Sequence, residues 1–124
     1  MSSPARKSIL IVEDDDTCRE MTQSILCAAG FDVVCAREFY EAIAVIERGD
    51  SVDFALVDVK MPQGTPQGIS FARMAQLRRP QLKVIFMSGN ISAEDFRIFE
   101  DGEAFLRKPF APHDLLSLLE RKAA

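Results

Sequence analysis

DFALVDVKMP, residues 53–62, contains the strand pattern around which the rest of the chain is organised. Its apolar residues 54–57 form a short run, typical of a strand that crosses the middle of a parallel sheet and is covered on both faces. The run ends at Asp58. In an open parallel sheet, ligands bind beyond the carboxyl ends of the strands. Asp58 is therefore predicted to lie at the functional edge of the sheet rather than in its core.

A second apolar run, residues 8–12, leads directly into consecutive acids at residues 13–16. If the two strands are neighbours, these carboxylates and Asp58 share one small volume. Clustered like charges raise one another's pKa values unless a cation neutralises them, and Mg²⁺ is the cation that suits carboxylate oxygens and water. The sequence therefore predicts a magnesium–carboxylate site centred on Asp58, with Mn²⁺ as the alternative ion.

Strands and helices alternate along the chain. Short apolar strands are predicted at residues 9–12, 31–36, 54–57, 83–87 and 104–106, with helical periodicity in the segments between and after them. Right-handed crossovers between such units build an α/β fold, a doubly wound (βα)5 sheet of the flavodoxin-like kind. The expected strand order is 2-1-3-4-5, which places the first and third strands side by side.

Five helices are predicted, and neighbouring residues indicate where some of them begin and end. Asp16 is expected to cap the first helix and Gly30 to end it. The helical period turns Met21 of the first helix and Leu77 of the third toward the core. The fourth helix, residues 92–99, has only about two turns and is expected to be the least stable.

Size and composition favour a single domain. The chain has 124 residues, 48% of them hydrophobic, and the domain is predicted at residues 8–122 after a flexible leader, residues 1–7. A cytoplasmic location is expected, because no apolar run approaches the ~18 residues of a membrane span and the start lacks a signal peptide's apolar core. The net charge of −4 argues against a general nucleic-acid binder. The three cysteines lack C-x-x-C spacing and are expected to be buried, reduced thiols.

Four separated motifs occur in order along the chain, namely Glu13-Asp14, Asp58 followed by Met61-Pro62, Ser88, and Lys108-Pro109-Phe110. Through them, residues 8 to about 121 resemble the receiver domain of bacterial two-component response regulators. The resemblance implies a phospho-acceptor signalling domain, not an enzyme, that catalyses only its own phosphorylation and dephosphorylation. Its expected partners are a sensor histidine kinase or histidine phosphotransfer protein and an unknown downstream protein, with no nucleic acid and no membrane. A homodimer is left open.

The resemblance also assigns roles to the acidic residues. Asp58 is the phospho-acceptor. Asp14 and Asp58 bind Mg²⁺ directly, together with the Lys60 backbone carbonyl, whereas Glu13 acts through a coordinated water because Mg²⁺ usually keeps several waters. Asp15 is the reserve ligand, since a run of acids allows a one-residue shift in this assignment.

Lys108 and Ser88 complete the implied site. Phosphoryl transfer needs in-line positioning and cancellation of charge on the phosphoryl oxygens rather than a strong base. Lys108 supplies a compact charge that pairs with Asp58 before transfer and with a phosphoryl oxygen afterwards. Ser88 offers its hydroxyl to another phosphoryl oxygen. As in the family, a cis Lys108-Pro109 peptide bond is expected to aim the ammonium at Asp58.

The implied switch couples Ser88 to an aromatic residue on the fifth strand, here Phe105. Because Phe105 has no hydroxyl, this coupling would act through packing alone, and a plain core phenylalanine remains the alternative. The surface formed by the fourth helix, fifth strand and fifth helix is expected to carry the signal. His113 is expected to be a solvated residue without a catalytic role.

Two segments depart from the family pattern. The loop QGTPQG, residues 63–68, is longer than usual, and residues 88–108 are fewer than usual. A stand-alone receiver is the leading interpretation, because the chain ends soon after the last helix, and a receiver domain of a hybrid histidine kinase is the alternative. An aspartyl-phosphate phosphatase, from another class, would carry a second acid two residues after Asp58, where this chain has Lys60.

Overall fold

The computed structural model describes residues 6–59, 67–89 and 104–123. Within them lie β1 (Ser8–Val12), α1 (Asp16–Ala28), β2 (Asp32–Ala36), α2 (Phe39–Arg48), β3 (Phe54–Asp58), α3 (Gln67–Arg78), β4 (Lys83–Ser88), β5 (Ala104–Arg107) and α4 (Pro112–Ala123). The predicted fourth helix, Lys60 and residues 1–5 of the predicted leader lie outside the described residues, so α4 is the helix that the sequence predicts as the fifth.

The five strands form one parallel sheet in the order β2-β1-β3-β4-β5, which confirms the predicted fold and strand order. In the register of β1 with β3, Val12 lies opposite Val57. The residues that follow β1 therefore emerge beside Asp58, the last residue of β3. The adjacency that brings the acidic run to Asp58 comes directly from this strand order.

The core consists of two apolar layers, one on each face of the sheet, because alternate strand residues point to opposite faces. On one face, Leu10 and Val12 of β1 pack in a cluster with buried residues of α2 and α3. On the other, Ile9 and Ile11 pack in a cluster with buried residues of α1 and α4. Both faces of β1 and β3 are thus covered, as the apolar runs predict.

The first turn of α1 differs from the prediction, since Asp15 rather than Asp16 is the N-cap. Asp15 has extended backbone angles, and its carboxylate accepts a hydrogen bond from Cys18 N at 2.7 Å. Asp16 is already helical and pairs with Arg19 instead. The helix ends as predicted, with Gly30 at φ 96°, a left-handed conformation that glycine adopts without steric cost.

Three predicted core positions are wrong. Met21 is 45% exposed, since the buried residues of α1 are Thr22 and Leu26 and Met21 lies about 100° around the helix from Thr22. Leu77 is 84% exposed, because it lies about 200° from the buried Ala75 of α3. Cys27 is exposed, while the other two cysteines are partly buried, and all three are free thiols. Among the described residues, no helix combines the length and apolarity needed to cross a membrane.

Candidate functional site

The carboxyl edge of the sheet brings the predicted polar residues together. Glu13 follows β1, while Asp58 and Ser88 are the last residues of β3 and β4. Lys108 follows β5, and its amide donates to the Ser88 carbonyl at 3.0 Å. Glu13 N donates to the Ala36 carbonyl at the end of β2, also at 3.0 Å. All five strands therefore contribute backbone contacts or side chains to this edge.

Lys108 is the cation of the site. Its ammonium lies 3.3 Å from Asp58 Oδ2 and contacts Glu13 Oε1 directly. The peptide bond to Pro109 is cis, as predicted. Glu13 is 1% exposed and Asp58 is 6% exposed, and within the described part of the chain Lys108 gives both buried carboxylates a positive partner.

Three carboxylates form the acidic part of the site. One oxygen each from Glu13, Asp14 and Asp58 lies within 4.8 Å of the others. Glu13 and Asp58 are buried, whereas Asp14 is exposed and leaves the group open to solvent on its side. A group of oxygen ligands with one open side fits Mg²⁺ or Mn²⁺, which bind through a few carboxylates and keep several waters. The Lys60 carbonyl, the remaining predicted ligand, lies outside the described residues.

Glu13 and Asp58 are a strongly interacting pair of buried carboxylates, and each affects the pKa of the other. Burial, followed by the hydrogen bond and charge of Glu13, raises the pKa of Asp58 from 3.8 to about 7. Burial also acts to raise the pKa of Glu13, but hydrogen bonds with Asp58 and Lys108 outweigh it and hold that pKa below its ordinary value. The two carboxylates therefore titrate as a pair, in which the pKa of Asp58 is raised and that of Glu13, the direct partner of Lys108, is lowered.

The run of four acids divides into distinct contacts. Glu13 and Asp14 belong to the carboxylate group with Asp58. Asp15 caps α1, and Asp16 pairs with Arg19, so neither of these carboxylates faces the group. Of the two alternatives that the sequence leaves open, the structure thus brings Asp14, and not Asp15, to Asp58.

Two residues of the site's surroundings escape sequence reasoning. The guanidinium of Arg19 donates to the Glu13 and Asp14 carbonyls, a contact that no sequence motif predicts. The spacing of three residues between Asp16 and Arg19 indicates only their ion pair. Gly68 lies against the end of β3, where a Cβ atom would overlap the Asp58 carbonyl oxygen and lie 3.0 Å from Val59 Cα. In the sequence, the only indication of this close approach is that the residue at the end of the loop is a glycine.

The remaining predicted residues are distributed around the edge. Ser88 is buried at the end of β4, and Phe105 is partly buried and packs against the α2–α3 side of the core. His113 is exposed on α4, with Nε2 3.4 Å from Ser117 Oγ, so the structure leaves it outside the site. Burial, reinforced by Glu13, raises the pKa of the Cys18 thiol to about 11, which keeps this neighbouring sulfur protonated and unreactive.

Two of the cavities formed by the described residues lie at opposite edges of the sheet. One, of about 390 Å³, adjoins the site and is lined by Asp15, Cys18, Met21, Gly89, Lys108 and Phe110, among others. Met21, which is exposed on α1, is one of its lining residues. The other, of about 920 Å³, lies at the amino edge and includes Asp53, Arg79 and Lys83 in its lining. The smaller cavity is the relevant one, because Lys108, which contacts Glu13 and Asp58, is among its lining residues.

The sheet order and the position of the site define a doubly wound, flavodoxin-like domain with its functional groups at the carboxyl edge. The chain belongs to the response regulator receiver domain family, whose model matches residues 9–120.

Individual relatives agree with this assignment. The chain is 37% identical over 120 residues to the phosphate regulon transcriptional regulatory protein PhoB of Pseudomonas aeruginosa, covering 92% of this chain and 50% of PhoB. It spans between 15% and 46% of the length of three other curated relatives, so the similarity covers only a part of those proteins.

The chain is similar to two solved structures over nearly the whole length of each. The chemotaxis protein CheY4 of Vibrio cholerae has a TM-score of 0.84 and 27% identity, over 94% of this chain and 98% of that one. The receiver domain of the hybrid histidine kinase CckA has a TM-score of 0.77 and 29% identity, over 94% of this chain and 99% of that one.

Proposed function

We propose that residues 8–122 form a receiver that accepts a phosphoryl group on Asp58 from a sensor histidine kinase or a histidine phosphotransfer protein. The observation that carries this proposal is the distance of 3.3 Å between the Lys108 ammonium and Asp58 Oδ2, beside the carboxylates of Glu13 and Asp14. A nucleophilic carboxylate, a fixed cation and an acidic group suited to a metal are the parts that phosphoryl transfer onto an aspartate requires.

The transfer would proceed by in-line attack. One Asp58 carboxylate oxygen attacks phosphorus, the P–O bond forms as the P–N bond to the donor histidine breaks, and the departing imidazole keeps that electron pair and takes up a proton from water. The raised pKa of Asp58 matters here, because only its ionised form is the nucleophile. Lys108 holds that carboxylate before transfer and would follow the charge onto a phosphoryl oxygen afterwards.

The metal partners are proposed from the same group. Asp14, Asp58 and the Lys60 carbonyl would hold Mg²⁺, with Glu13 bonded to a coordinated water. When bound, the ion supplies positive charge opposite the equatorial phosphoryl oxygens. Ser88 would donate its hydroxyl to another of these oxygens, which leaves each phosphoryl oxygen a positive or hydrogen-bonding partner.

Signal output would depend on protein–protein contacts. Phosphorylation adds roughly −1.5 to −2 charges near neutral pH. That charge would bias Ser88 and Phe105 and alter the surface of β5, α4 and the segment of residues 92–99, which an unknown downstream protein would read. Amide exchange measured with and without phosphorylation checks this surface, and protection unchanged at β5 and α4 would exclude it as the output.

A receiver domain of a hybrid histidine kinase is the second candidate. Similarity to the CckA receiver favours it, whereas similarity to the chemotaxis protein CheY4 favours a stand-alone receiver. The proposed chemistry at Asp58 is the same in both.

Intact mass spectrometry tests the proposed acceptor. After incubation with acetyl phosphate and Mg²⁺, the wild-type protein is expected to gain roughly 80 Da, the mass of one phosphoryl group. Asp58→Asn should gain nothing, and chelation of the metal should suppress the gain in the wild type. Asp32→Asn, an exposed aspartate at the opposite edge of the sheet, is the matched control and should behave as the wild type. An adduct that persists in Asp58→Asn would place the acceptor elsewhere.

A further inference from the structure

The side chain of Arg19 lies beneath the short loop that connects β1 to α1. Its Nη1 atom donates to the Glu13 carbonyl at 3.0 Å and lies 3.4 Å from the Asp14 carbonyl. Its Nη2 atom contacts Asp16 Oδ1. The side chain is 12% exposed, which is low for an arginine on the first turn of a surface helix. One guanidinium thus contacts three of the four residues from Glu13 to Asp16, all except Asp15.

The rest of the loop's hydrogen bonding shows what this guanidinium completes. Glu13 N donates to the Ala36 carbonyl at 3.0 Å, and Asp15 N donates to Glu13 Oε2 at 3.3 Å. The Asp15 carbonyl accepts from Arg19 N at 2.9 Å. The Glu13 and Asp14 carbonyls are the two loop acceptors that the Arg19 side chain binds. With these carbonyls directed to Arg19, the Glu13 and Asp14 carboxylates lie within 4.8 Å of an Asp58 oxygen.

The loop between β1 and α1 needs such a restraint because the carboxylates that it holds close together repel one another. Carboxylates held within 4.8 Å repel one another, and the exposed Asp14 is free to relieve this repulsion by turning toward solvent. Lys108 neutralises charge among the buried carboxylates by pairing with Glu13 and Asp58. Arg19 acts on the backbone instead, and its contact with Asp16 also keeps that fourth acid away from the group.

We propose that Arg19 is a positioning residue, which holds the backbone of Glu13 and Asp14 so that their carboxylates and Asp58 present one preformed site to a divalent cation. This inference rests on the proposed function, because it concerns the same metal. Arginine suits the task since its planar fork donates to several acceptors in fixed directions, whereas lysine offers one compact charge. Residues that orient metal ligands in this way typically change metal affinity by about 10- to 100-fold.

Calorimetric titration with Mg²⁺ on the unphosphorylated protein tests the proposal. Arg19→Ala is expected to bind Mg²⁺ about 10-fold more weakly than wild type, and Arg19→Lys should recover part of that loss. Asp16→Asn removes the ion pair but keeps both carbonyl contacts, so its affinity should stay within about twofold of wild type, below the effect typical of orienting residues. Arg48→Ala, which removes an exposed arginine paired with Asp50 at the other edge, is the matched control.

A second measurement separates positioning from a general loss of structure. In acetyl phosphate reactions, Arg19→Ala should shift the Mg²⁺ concentration that gives half the maximal rate about 10-fold, while the rate at saturating Mg²⁺ stays near wild type. A residue that only stabilises the fold would lower the melting temperature without this shift. Should Arg19→Ala not fold, the same comparison is made with Arg19→Lys, for which a smaller shift in the same direction is expected.

The outcomes distinguish the two proposals. Wild-type affinity for Mg²⁺ in a folded Arg19 variant would overturn the positioning role and leave the acceptor role of Asp58 intact. A loss in Asp16→Asn equal to that in Arg19→Ala would also overturn it, because the ion pair rather than the carbonyl contacts would then be responsible. A wild-type protein that neither binds Mg²⁺ nor gains a phosphoryl group would refute the proposed function itself.

Discussion

Replacing Asp58 with asparagine is expected to stabilise the metal-free protein at neutral and alkaline pH. Folding places Asp58 beside the ionised Glu13, and the two buried carboxylates share Lys108 as their positive partner. Asparagine has nearly the same shape but carries no charge. In Asp58→Asn, Glu13 and Lys108 form a neutral pair, and the repulsion between the carboxylates is gone.

The magnitude follows from the pKa of Asp58, which rises from 3.8 to about 7 on folding. A difference of about 3 pH units corresponds to roughly 4 kcal/mol of unfolding free energy, at about 1.4 kcal/mol for each unit. This is an upper bound, because the titration of Asp58 is coupled to that of Glu13 and part of the shift belongs to the pair. We therefore expect a gain of about 2 kcal/mol in Asp58→Asn at pH 8.

The contribution of Asp58 to the unfolding free energy changes with pH in the opposite direction to that of an ordinary carboxylate paired with a cation. Between pH 3.8 and about 7, Asp58 holds its proton in the folded chain but has lost it in the unfolded chain. The folded state binds more protons, so this group's contribution to the unfolding free energy falls as the pH rises through that window. Below it, the carboxyl is protonated in both states and the variant should differ little from wild type.

Urea unfolding with a chelator present, at several pH values from 4.5 to 8, measures the difference between wild type and Asp58→Asn. Asp32→Asn serves as the control for removal of an aspartate from the surface. Added Mg²⁺ should stabilise the wild type more than the variant and so narrow the gap at pH 8. A variant that is less stable than wild type at pH 8, or whose advantage grows toward acid pH, would refute the reasoning.

Four further substitutions test separate contacts. Asp15→Ala removes the N-cap of α1 and should cost about 1 kcal/mol in urea unfolding while Mg²⁺ affinity, followed by calorimetry, changes little; a large loss of affinity would show that Asp15 is a ligand. Gly68→Ala forces a methyl group onto the end of β3 and should destabilise the protein by about 1 to 3 kcal/mol, and an unaffected melting temperature would contradict this close approach. Leu26→Ala should cost about 2 to 5 kcal/mol, because Leu26 is fully buried, and Leu77→Ala less than about 0.5 kcal/mol, although the sequence places Leu77 in the core.

The fold could be predicted from the sequence because the apolar patterns are unambiguous. Residues 54–57 are too short for a helix, are uniformly apolar and end at a carboxylate, which is the pattern of a central parallel strand. Alternation of such runs with helical segments leaves few topologies, and the observed strand order is one of the common doubly wound orders with a switch point. The encounter of Asp58 with the acidic run then follows from topology.

The helix cap, the buried side of α3 and the contacts of Arg19 could not be predicted, because they depend on backbone and helix-rotation angles that a residue pattern does not determine. Asp15 and Asp16 are both good cap residues, and the choice between them depends on where the first helical turn begins. Leu77 fits a helical period from Phe71, yet the sheet covers a stripe through Ala75 and leaves Leu77 on the opposite side. The contact of Arg19 with two carbonyls depends on loop geometry rather than on residue type.

The alternation of β1 between the two apolar layers has a consequence for the acids that follow it. Ile9 and Ile11 occupy one layer, and Leu10 and Val12 occupy the other. A slip of this strand by one residue past β3 would exchange the layers and bring Asp14 to the place of Glu13. Because each layer is packed against different helices, that exchange is strongly opposed. The four neighbouring acids look interchangeable in the sequence, but the apolar residues of β1 fix their register. That register is set by packing before any ion or phosphate binds.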